Sequence, residues 1–377
     1  MSQAWDVIVV GAGIVGTACA RACACAGMKV LVVTQGSIAE GTTGAGMGHV
    51  VILDDSEAQF ALTEYSRRLW RALLPDLPAA VEVVQCGTLW VAADQEEMDE
   101  VQRKAAFYQK HAVRATQLDA QTLRQAEPNL RPDLAGGLQV YDDMVVYPPS
   151  ACLALLAQAQ QQGAEVRCHA SVARFLPGGG VVLTDGTKIP CAQAVNAAGC
   201  GAPALTPGLP VQRRKGHLVI TDRYPDYIHH QIIELGYLKS AHVVSSDSVA
   251  FNIQPRQTGQ MLIGSSRQNG DESPDVDHAI LTRMLKRAKW YMPGIDQLQA
   301  LRCWTGFRPA TPDKLPLIGP SPRQDHVWLA TGHEGLGITT SLATGSLLAD
   351  LILERVPEIP AEPYLPARLL TGDLKDV

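Results

Sequence analysis

The segment 6–35, DVIVVGAGIVGTACARACACAGMKVLVVTQ, constrains the fold of this chain most strongly. An apolar, β-branched run at 7–10 predicts a buried parallel strand, because such strands are covered on both faces. The sequence GAGIVG follows with G-x-G-x-x-G spacing, and a helical stretch then leads through Gly27 to a second apolar run at 30–33. This order of elements within about 30 residues predicts a βαβ unit that binds a dinucleotide. A purely structural glycine turn is the weaker alternative.

The glycines of this turn have separate mechanical roles. Gly11 permits the tight turn, Gly13 lets the backbone approach a pyrophosphate, and Gly16 lets the helix pack closely on the strand. The phosphates would lie at the helix N-terminus, where unpaired N–H groups and the helix dipole favour negative charge. Thr34 and Gln35 occupy the place of the acid that usually ends the second strand. Ribose recognition is therefore either weaker or moved to another residue.

Composition argues against several functional classes. A chain of 377 residues can form about two domains, and a net charge of −6 without a Lys/Arg block argues against nucleic acid as the main partner. The most apolar run, 7–20, is too short for a transmembrane segment and follows no basic leader. We expect a cytoplasmic protein, with peripheral membrane attachment as an alternative. Nine cysteines without a C-x-x-C pair fit reduced thiols, and we expect no metal site.

The rest of the chain alternates helical and strand patterns, which predicts an α/β fold. Helical spacing of apolar residues predicts helices at 54–74, 95–111, 118–126, 151–162, 276–290 and 338–355. Short β patterns between 210 and 303 predict an antiparallel sheet with strands at 217–221, 242–245, 250–253 and 260–264.

Glycine-rich turns recur at 11–16, 196–201 and 332–337, and each follows an apolar strand. A nicotinamide-binding Rossmann domain normally needs one such turn. Several backbone turns gathered on one ligand indicate a larger and permanently held cofactor. We therefore expect a flavin dinucleotide, FAD, rather than NAD.

Motifs along the whole chain resemble the D-amino-acid oxidase family of FAD-dependent amine oxidoreductases. They are GAGIVG at 11–16, TTGAGM at 42–47, VNAAG at 195–199, GFRPATPD at 306–313 with Pro316, and TGHEGLGIT at 331–339. The resemblance implies a Rossmann-like FAD-binding domain of the glutathione-reductase type with an inserted α+β substrate domain built on an antiparallel sheet. The FAD-binding domain would comprise residues 1–85, 145–210 and 305–377, and the substrate domain residues 86–144 and 211–304.

The resemblance also implies which residues contact FAD. The pyrophosphate and ribose would lie against Gly11, Ala12, Gly13, Ile14, Val15, Gly16, Thr34, Gln35, Thr42 and Thr43. Val172 would lie beside the adenine, and Ala198 and Gly199 near the ribityl and phosphate groups. The flavin ring would be contacted by Ala45, Gly46, Met47 and Gly48, and its pyrimidine end by Gly335, Leu336, Gly337, Ile338 and Thr339.

By the same resemblance, Arg308 is the candidate ligand of a substrate carboxylate. Its planar fork of donors matches a carboxylate at two points and would fix the Cα–H toward the flavin, although a structural ion pair is the alternative. His49 and His333 flank flavin-facing turns and could act in catalysis on the amine side, with a structural hydrogen-bonding role as an equal alternative. For Lys215 and His217, a structural role is favoured over a catalytic one.

A narrower resemblance covers residues 45–70, AGMGHVVILDDSEAQFALTEYSRRLW. This stretch is similar to flavoprotein subunits of hetero-oligomeric dehydrogenases such as D-hydroxyproline dehydrogenase, octopine or nopaline oxidase and hydrogen cyanide synthase. The similarity implies partner subunits that carry flavin and iron–sulfur centres and accept the electrons.

The reaction that these resemblances imply is oxidation of the C–N bond of a small amino acid or a cyclic or secondary amine, with hydride leaving Cα for flavin N5. The tyrosine that several relatives place beside the substrate has no clear counterpart, and Phe251-Asn252-Ile253 stands roughly in its place. This departure indicates a different amine substrate. Two alternatives remain: a non-catalytic FAD subunit for electron relay or assembly, and a flavin dehydrogenase of a 2-hydroxy acid or a phosphorylated alcohol.

Overall fold

The computed structural model describes residues 5–236 and 247–370. The strand expected at 242–245 lies outside the described residues. The described strands are β1 (Trp5–Val10), β2 (Val30–Val33), β3 (His49–Val50), β4 (Thr88–Ala92), β5 (Ala115–Asp119), β6 (Gly136–Val140), β7 (Met144–Val145), β8 (Glu165–Arg167), β9 (Val172–Phe175), β10 (Val181–Leu183), β11 (Lys188–Ile189), β12 (Cys191–Asn196), β13 (Gln212–Thr221), β14 (Gln231–Glu234), β15 (Ser248–Pro255), β16 (Met261–Asn269), β17 (Ala300–Ala310), β18 (Leu317–Pro320) and β19 (Val327–Thr331). The described α-helices are α1 (Ile14–Cys25), α2 (Thr42–Ala45), α3 (Glu57–Leu73), α4 (Gln95–Lys110), α5 (Ala120–Ala126), α6 (Pro148–Gln161), α7 (Ala202–Leu205), α8 (His278–Tyr291), α9 (Gly337–Ile352) and α10 (Ala367–Leu370).

A six-stranded sheet in the order β18–β19–β12–β1–β2–β8 forms the centre of one half of the molecule. Its strands pair in parallel except for β18, which is antiparallel to β19. Because side chains alternate along a strand, Val7 and Val9 pack against the helical layer, which contains α1, α3, α6 and α9. Ile8 and Val10 face the small sheet β11–β10–β9 on the other side. This arrangement confirms the predicted Rossmann-like α/β fold.

The glycine turn between β1 and α1 has the geometry that its spacing predicts. Gly11 has a φ of +110°, and an added Cβ would lie 2.5 Å from the carbonyl oxygen of Ala197. An added Cβ on Gly16 would overlap the carbonyl oxygen of Gly11. The absence of side chains at these two positions therefore lets α1 pack directly against the strand ends.

One long apolar helix belongs to this core. Glu334–Ile352, which includes α9, has the length and composition of a membrane-spanning helix, but 61% of its apolar window is buried inside the protein. It packs against α1 and α3. Its apolar character is thus explained by its position in the helical layer.

The second half of the molecule is an eight-stranded sheet in the order β17–β13–β16–β15–β14–β4–β6–β5. Its pairings are antiparallel except that of β14 with β4. The helix α8 packs on this sheet through Met284, Ala288 and Tyr291. The sheet combines segments from both ranges of the predicted substrate domain. The predicted boundary between residues 304 and 305 falls inside β17, so this strand joins the two halves.

Two local expectations were wrong. The helix expected at 118–126 begins at Ala120, because Leu118 belongs to β5 and the Asp119 side chain accepts a hydrogen bond from the Thr122 N–H at 2.8 Å. The apolar pattern of residues 138–146 predicts one continuous strand, but it is interrupted, and β6 and β7 join different sheets. An aspartate that caps a helix and a turn between short strands override the apolar periodicity at these points.

Candidate active site

Two adjoining cavities lie between the sheets and share wall residues, among them Thr42, Thr43, Phe307 and Glu334. We call the first the glycine-turn end. Its wall contains Gly11, Ala12, Gly13, Ile14, Val15, Thr34, Gln35, Val172, Ala198 and Gly199. We call the second the arginine end. Its wall contains Gly46, Met47, Gly48, His49, Arg214, Asn252, Arg267, Arg308, Gly335, Leu336 and Ile338. Segments far apart in sequence are therefore brought together as the motifs predict.

Four further predicted contact residues lie in other positions. Ala45 and Gly337 line both cavities. Gly16 lies beneath the glycine turn. Thr339 is buried in α9 and donates a hydrogen bond to the carbonyl oxygen of His49 at 2.8 Å. Thr339 therefore holds the segment after Met47 in place.

Threonines 42 and 43 connect the glycine turn to the second half of the molecule. The Thr43 Oγ1 accepts a hydrogen bond from the Ile14 N–H at 3.0 Å. The Thr42 Oγ1 donates to the carbonyl oxygen of Phe307 at 2.6 Å. The expected proximity of this pair to the turn is thus present, and it also anchors β17.

The walls fit an elongated ligand with an anionic group. The helices α1 and α9 both begin at the cavity walls, at Ile14 and Gly337, and neither has an acidic residue in its first turn. The positive ends of two helix dipoles therefore face the same space, where they favour phosphate and electron-rich groups. Together with the glycine-lined backbone, this arrangement suits a dinucleotide cofactor.

The acid missing from the end of β2 has a candidate replacement in the following loop. Thr34 is buried, and its backbone pairs with Arg167 and Ala170. The exposed Glu40 carboxylate lies so close to Gly36 that a Cβ there would overlap it, and Glu40 lines the glycine-turn end together with Thr34 and Gln35. The dinucleotide motif points only to the end of β2 and therefore does not predict Glu40, which lies in the loop that follows.

Arg308 occupies the arginine end from β17, where it pairs in register with Arg214 of β13. Its Nη1 donates a hydrogen bond to the carbonyl oxygen of Ser266 at 2.9 Å. The guanidinium lies directly over Gly216, where any side chain would overlap it. The backbone contact and the glycine hold this side chain in the cavity wall.

Glu334 is surrounded by arginines. Its Oε1 lies 2.6 Å from the Arg214 Nη1 and 3.4 Å from the Arg267 Nε. Burial alone would raise the pKa of Glu334, but the positive charges of Arg267, Arg214 and Arg308 outweigh it and hold the pKa below its usual value. Around Glu334, three arginines surround one carboxylate, so this part of the wall is positively charged, which favours an anionic ligand.

His49 lies in the wall of the arginine end between two amides. Its Nδ1 contacts the Gln231 Oε1, and its Nε2 lies 3.3 Å from the Asn252 Nδ2. Burial lowers the pKa of His49 to about 4, an effect opposed by the hydrogen bond with Gln231 and increased by the charge of Arg308. His49 is therefore neutral near pH 7.

His333 has a different environment. It lines the glycine-turn end, and its Nε2 lies 3.0 Å from the Thr344 Oγ1, whose hydroxyl donates to the Thr340 carbonyl. The ring therefore donates to Thr344 within the α9 packing. Burial lowers its pKa to about 3. These contacts favour the structural alternative for His333.

Lys215 and His217 alternate along β13 with the cavity-lining residues Arg214, Gly216 and Leu218. The Lys215 Nζ pairs with the Asp271 Oδ2 at 2.7 Å, and the His217 ring bonds to Ser266 and to the Asp277 N–H. Strand alternation thus places both side chains outside the cavity wall, consistent with a structural role. In the described part of the chain, no group of three or more His, Cys, Asp or Glu side chains is arranged to hold a metal ion.

Comparison with protein families agrees with this geometry. Residues 6–351 match the model of the DAO family, described as FAD dependent oxidoreductase. The chain therefore belongs to this family, and FAD is its cofactor.

Among curated relatives, the glycine oxidase of Bacillus licheniformis is 26% identical over 366 residues, which cover 94% of this chain and 94% of the relative. The hydrogen cyanide synthase subunit HcnC of Pseudomonas protegens is 28% identical over 335 residues, covering 86% of this chain and 77% of the relative. The crystal structure of glycine oxidase from Geobacillus kaustophilus has a TM-score of 0.86 and 25% identity, covering 97% of this chain and 99% of that one. L-proline dehydrogenase from P. horikoshii has a TM-score of 0.89 and 23% identity over the full length of both chains, which shows a shared fold.

Proposed function

We propose that this protein oxidises the C–N bond of a small amino acid or a cyclic or secondary amine that bears a carboxylate. The relatives named glycine oxidase and the positively charged cavity wall support this class of substrate. In the proposed step the Cα hydrogen leaves with its two bonding electrons and the neutral amine becomes an iminium ion, which water hydrolyses unless it is cyclic. FAD, when bound, accepts those electrons.

The observation that carries this proposal is the placement of Arg308. Its guanidinium is held in the cavity wall by Ser266 and by its position over Gly216. The same wall contains the segment 45–48, which the family resemblance assigns to the flavin ring. A carboxylate that accepts two hydrogen bonds from this fork would be fixed in position and orientation. Fixing one end of a small substrate limits how its Cα can approach the cofactor, which lowers the entropy cost of reaction.

Neither the histidine nor the buried carboxylate of the arginine end is poised as a strong general base. His49 is neutral but has a pKa of about 4, so its basicity is low, and the Glu334 carboxylate is engaged by Arg214 and Arg267. An amine that binds neutral needs no enzymic base, because its own lone pair assists loss of hydride from Cα. The residues of the site would then act through orientation and electrostatics.

We further propose that the protein works as the catalytic subunit of a larger dehydrogenase in the cytoplasm. This proposal is supported by the similarity to HcnC, a subunit of hydrogen cyanide synthase. Purification from the native host with flavin and iron analysis would test it. Co-purifying subunits with flavin and iron–sulfur centres are expected, and an oxygen-reactive homo-oligomer would contradict the subunit role.

Anaerobic titration of the purified holoprotein tests the reaction. Glycine, sarcosine, D-proline, trans-4-hydroxy-D-proline and iminodiacetate would be added separately, with lactate, glycolate and glycerol 3-phosphate as alcohol controls. Bleaching of the visible flavin band by at least one amine is expected, with no bleaching by the alcohols. An unchanged spectrum across the amines would contradict the proposal, and bleaching by the alcohols alone would favour a hydroxy-acid or phosphorylated-alcohol dehydrogenase.

A further inference from the structure

A buried amide oxygen lies in the wall of the arginine end. Asn252 is on β15 and is 8% exposed. Its Oδ1 receives no hydrogen bond from any group within residues 5–236 and 247–370. A buried carbonyl oxygen without a donor is costly, and this one borders a cavity that takes a ligand.

A chain of hydrogen bonds fixes which end of each amide faces which neighbour. The chain starts at Asp143, a buried carboxylate paired with Arg67 at 3.1 Å. The Thr88 hydroxyl donates to the Asp143 Oδ2 at 2.7 Å, so its oxygen is left to accept from the Gln231 Nε2 at 3.2 Å. The Oε1 of Gln231 must therefore point toward His49.

The tautomer of His49 follows from this orientation. Its Nδ1 contacts the Gln231 Oε1, which can only accept, so Nδ1 carries the proton. The Nε2 of a neutral ring is then an acceptor, and the Asn252 Nδ2 lies 3.3 Å from it. The low pKa of His49 is consistent with this neutral form. Rotating the Asn252 amide would place its oxygen against the lone pair of Nε2, so the chain holds Oδ1 in its present direction.

We infer that Asn252 Oδ1 accepts a hydrogen bond from the substrate N–H and thereby selects amines over their oxygen analogues. The inference rests on the proposed amine-oxidising function and names a second anchor for that substrate. Arg308 would hold the carboxylate and Asn252 the amine, so two contacts orient the bond that is oxidised. Gln231 and His49 are positioning residues for the amide.

The inferred contact discriminates by chemistry rather than by size. An ether oxygen in place of N–H has the same shape but presents lone pairs to Oδ1, so the acceptor stays unsatisfied and the two oxygens repel. A site built around a buried hydrogen-bonding group rejects such analogues strongly. The hydrogen-bond chain that ends at Asn252 therefore favours ligands with at least one N–H and disfavours tertiary amines.

Matched ligand pairs test the inference on the holoprotein. The pairs are sarcosine with methoxyacetate, D-proline with tetrahydro-2-furoate, and iminodiacetate with diglycolate, each differing by N–H against ether oxygen. Dissociation constants come from perturbation of the flavin spectrum or, for substrates, from the concentration dependence of anaerobic flavin reduction. In the parent protein the amine of at least one pair should bind more tightly than the ether.

Asn252→Leu should weaken binding of the amines by about tenfold to a hundredfold while changing ether binding less than about twofold. Asn252→Asp keeps an acceptor at this place and should retain most of the amine preference. His49→Leu, which removes the acceptor that orients the amide, should reduce the preference by a smaller factor. Asn129→Leu, the same exchange at an exposed asparagine, is the control and should leave both ligands unaffected.

The outcomes distinguish a failure of the role of Asn252 from a failure of the proposed function. Equal weakening of amine and ether in Asn252→Leu, or no weakening of either, contradicts the role of Asn252 and leaves the proposed function intact. A parent protein with bound FAD that binds none of the amines contradicts the proposed function and this inference together.

Discussion

The two ends of the cavity are built from different material. At the glycine-turn end the wall contains the glycines and other small or apolar residues of the segments 10–15 and 197–201. At the arginine end it carries the side-chain charges of Arg214, Arg267, Arg308 and Glu334. A wall of backbone suits a cofactor of fixed structure, whereas a wall of side chains can be changed without altering the chain path. The difference indicates that cofactor binding depends on the fold, whereas substrate choice depends on a few side chains that can be substituted.

The strongest test of this contrast is Gly16→Ala. The added methyl group would overlap the carbonyl oxygen of Gly11, so α1 must move away from the turn. We expect a loss of about 3 kcal/mol or more in the free energy of unfolding and near-complete loss of bound FAD. Flavin absorbance per protein and chemical denaturation measure both. Gly178→Ala is the matched control, because an added Cβ there meets nothing within 4 Å, and it should keep its flavin.

Arg308→Leu should affect only the arginine end. We expect kcat/KM to fall by about a hundredfold or more, because the carboxylate loses its anchor, while flavin content stays unchanged. Arg308→Lys keeps the charge but not the planar fork of donors, so its kcat/KM should lie between those of Arg308→Leu and the parent. Steady-state kinetics with the best amine substrate provides the measurement. Equal loss of FAD in both variants would show that Arg308 supports the fold rather than the substrate.

Protonation of the buried histidines should lower stability in acid. The folded pKa values of His49 and His333, about 4 and about 3, lie below the unfolded value of about 6.5, so the unfolded chain takes up protons first as the pH falls. The contribution of these two neutral histidines to the free energy of unfolding is therefore fully present above pH 6.5 and is lost progressively as the pH falls below it. Asp143, whose pKa burial raises to about 6, acts in the opposite direction, because its folded state binds a proton first.

Comparing His333→Gln with the parent isolates one histidine. Glutamine can still donate to Thr344. Between pH 6.5 and pH 4.5 the free energy of unfolding should therefore fall by about 2–3 kcal/mol less in the variant than in the parent. Urea denaturation at several pH values would give the slope of the free energy of unfolding against pH for each protein. His278→Gln, at an exposed site, should follow the parent. Parallel slopes for His333→Gln and the parent would contradict burial of a neutral ring.

Glu334→Gln tests the charge balance of the arginine end. Without the carboxylate, Arg214 and Arg267 gain attraction for a second anionic group, so diglycolate should bind more tightly, on the order of 1 kcal/mol or about fivefold. Methoxyacetate, with one carboxylate, should change less. Titration of the flavin spectrum measures both constants. Unchanged affinity for diglycolate would mean that the arginines do not reach the ligand.

The smallest effects are expected at the ribose position. Thr34→Glu should retain FAD, because the cofactor has many other contacts. Glu40→Gln should weaken FAD binding by at most about fivefold, since an exposed carboxylate contributes little. Equilibrium binding of FAD to apoprotein would show both. If Thr34→Glu expelled the flavin, the assignment of Thr34 to the ribose would be wrong.

The contrast also explains how much the sequence predicts. A glycine turn is local, so the spacing of Gly11, Gly13 and Gly16 predicts its geometry directly, and short apolar runs predict the buried strands. The chain Asp143–Thr88–Gln231–His49–Asn252 joins five separate segments through side chains, and no spacing rule connects them. Glu334 lies inside the motif TGHEGLGIT, whereas Arg214 lies in none of the motifs, and their pairing depends on how β13 and the turn before α9 meet.

The strand β17 has a consequence for how such a protein can change over evolutionary time. It places Phe307 against both cavities and carries Arg308, and its backbone is tied to Thr42. A substitution that shifts the backbone of this strand therefore alters cofactor retention and carboxylate binding together. Asn252 on β15 lines the arginine end and not the glycine-turn end. New amine preferences are thus most accessible through β15, while β17 conserves the requirement for a carboxylate.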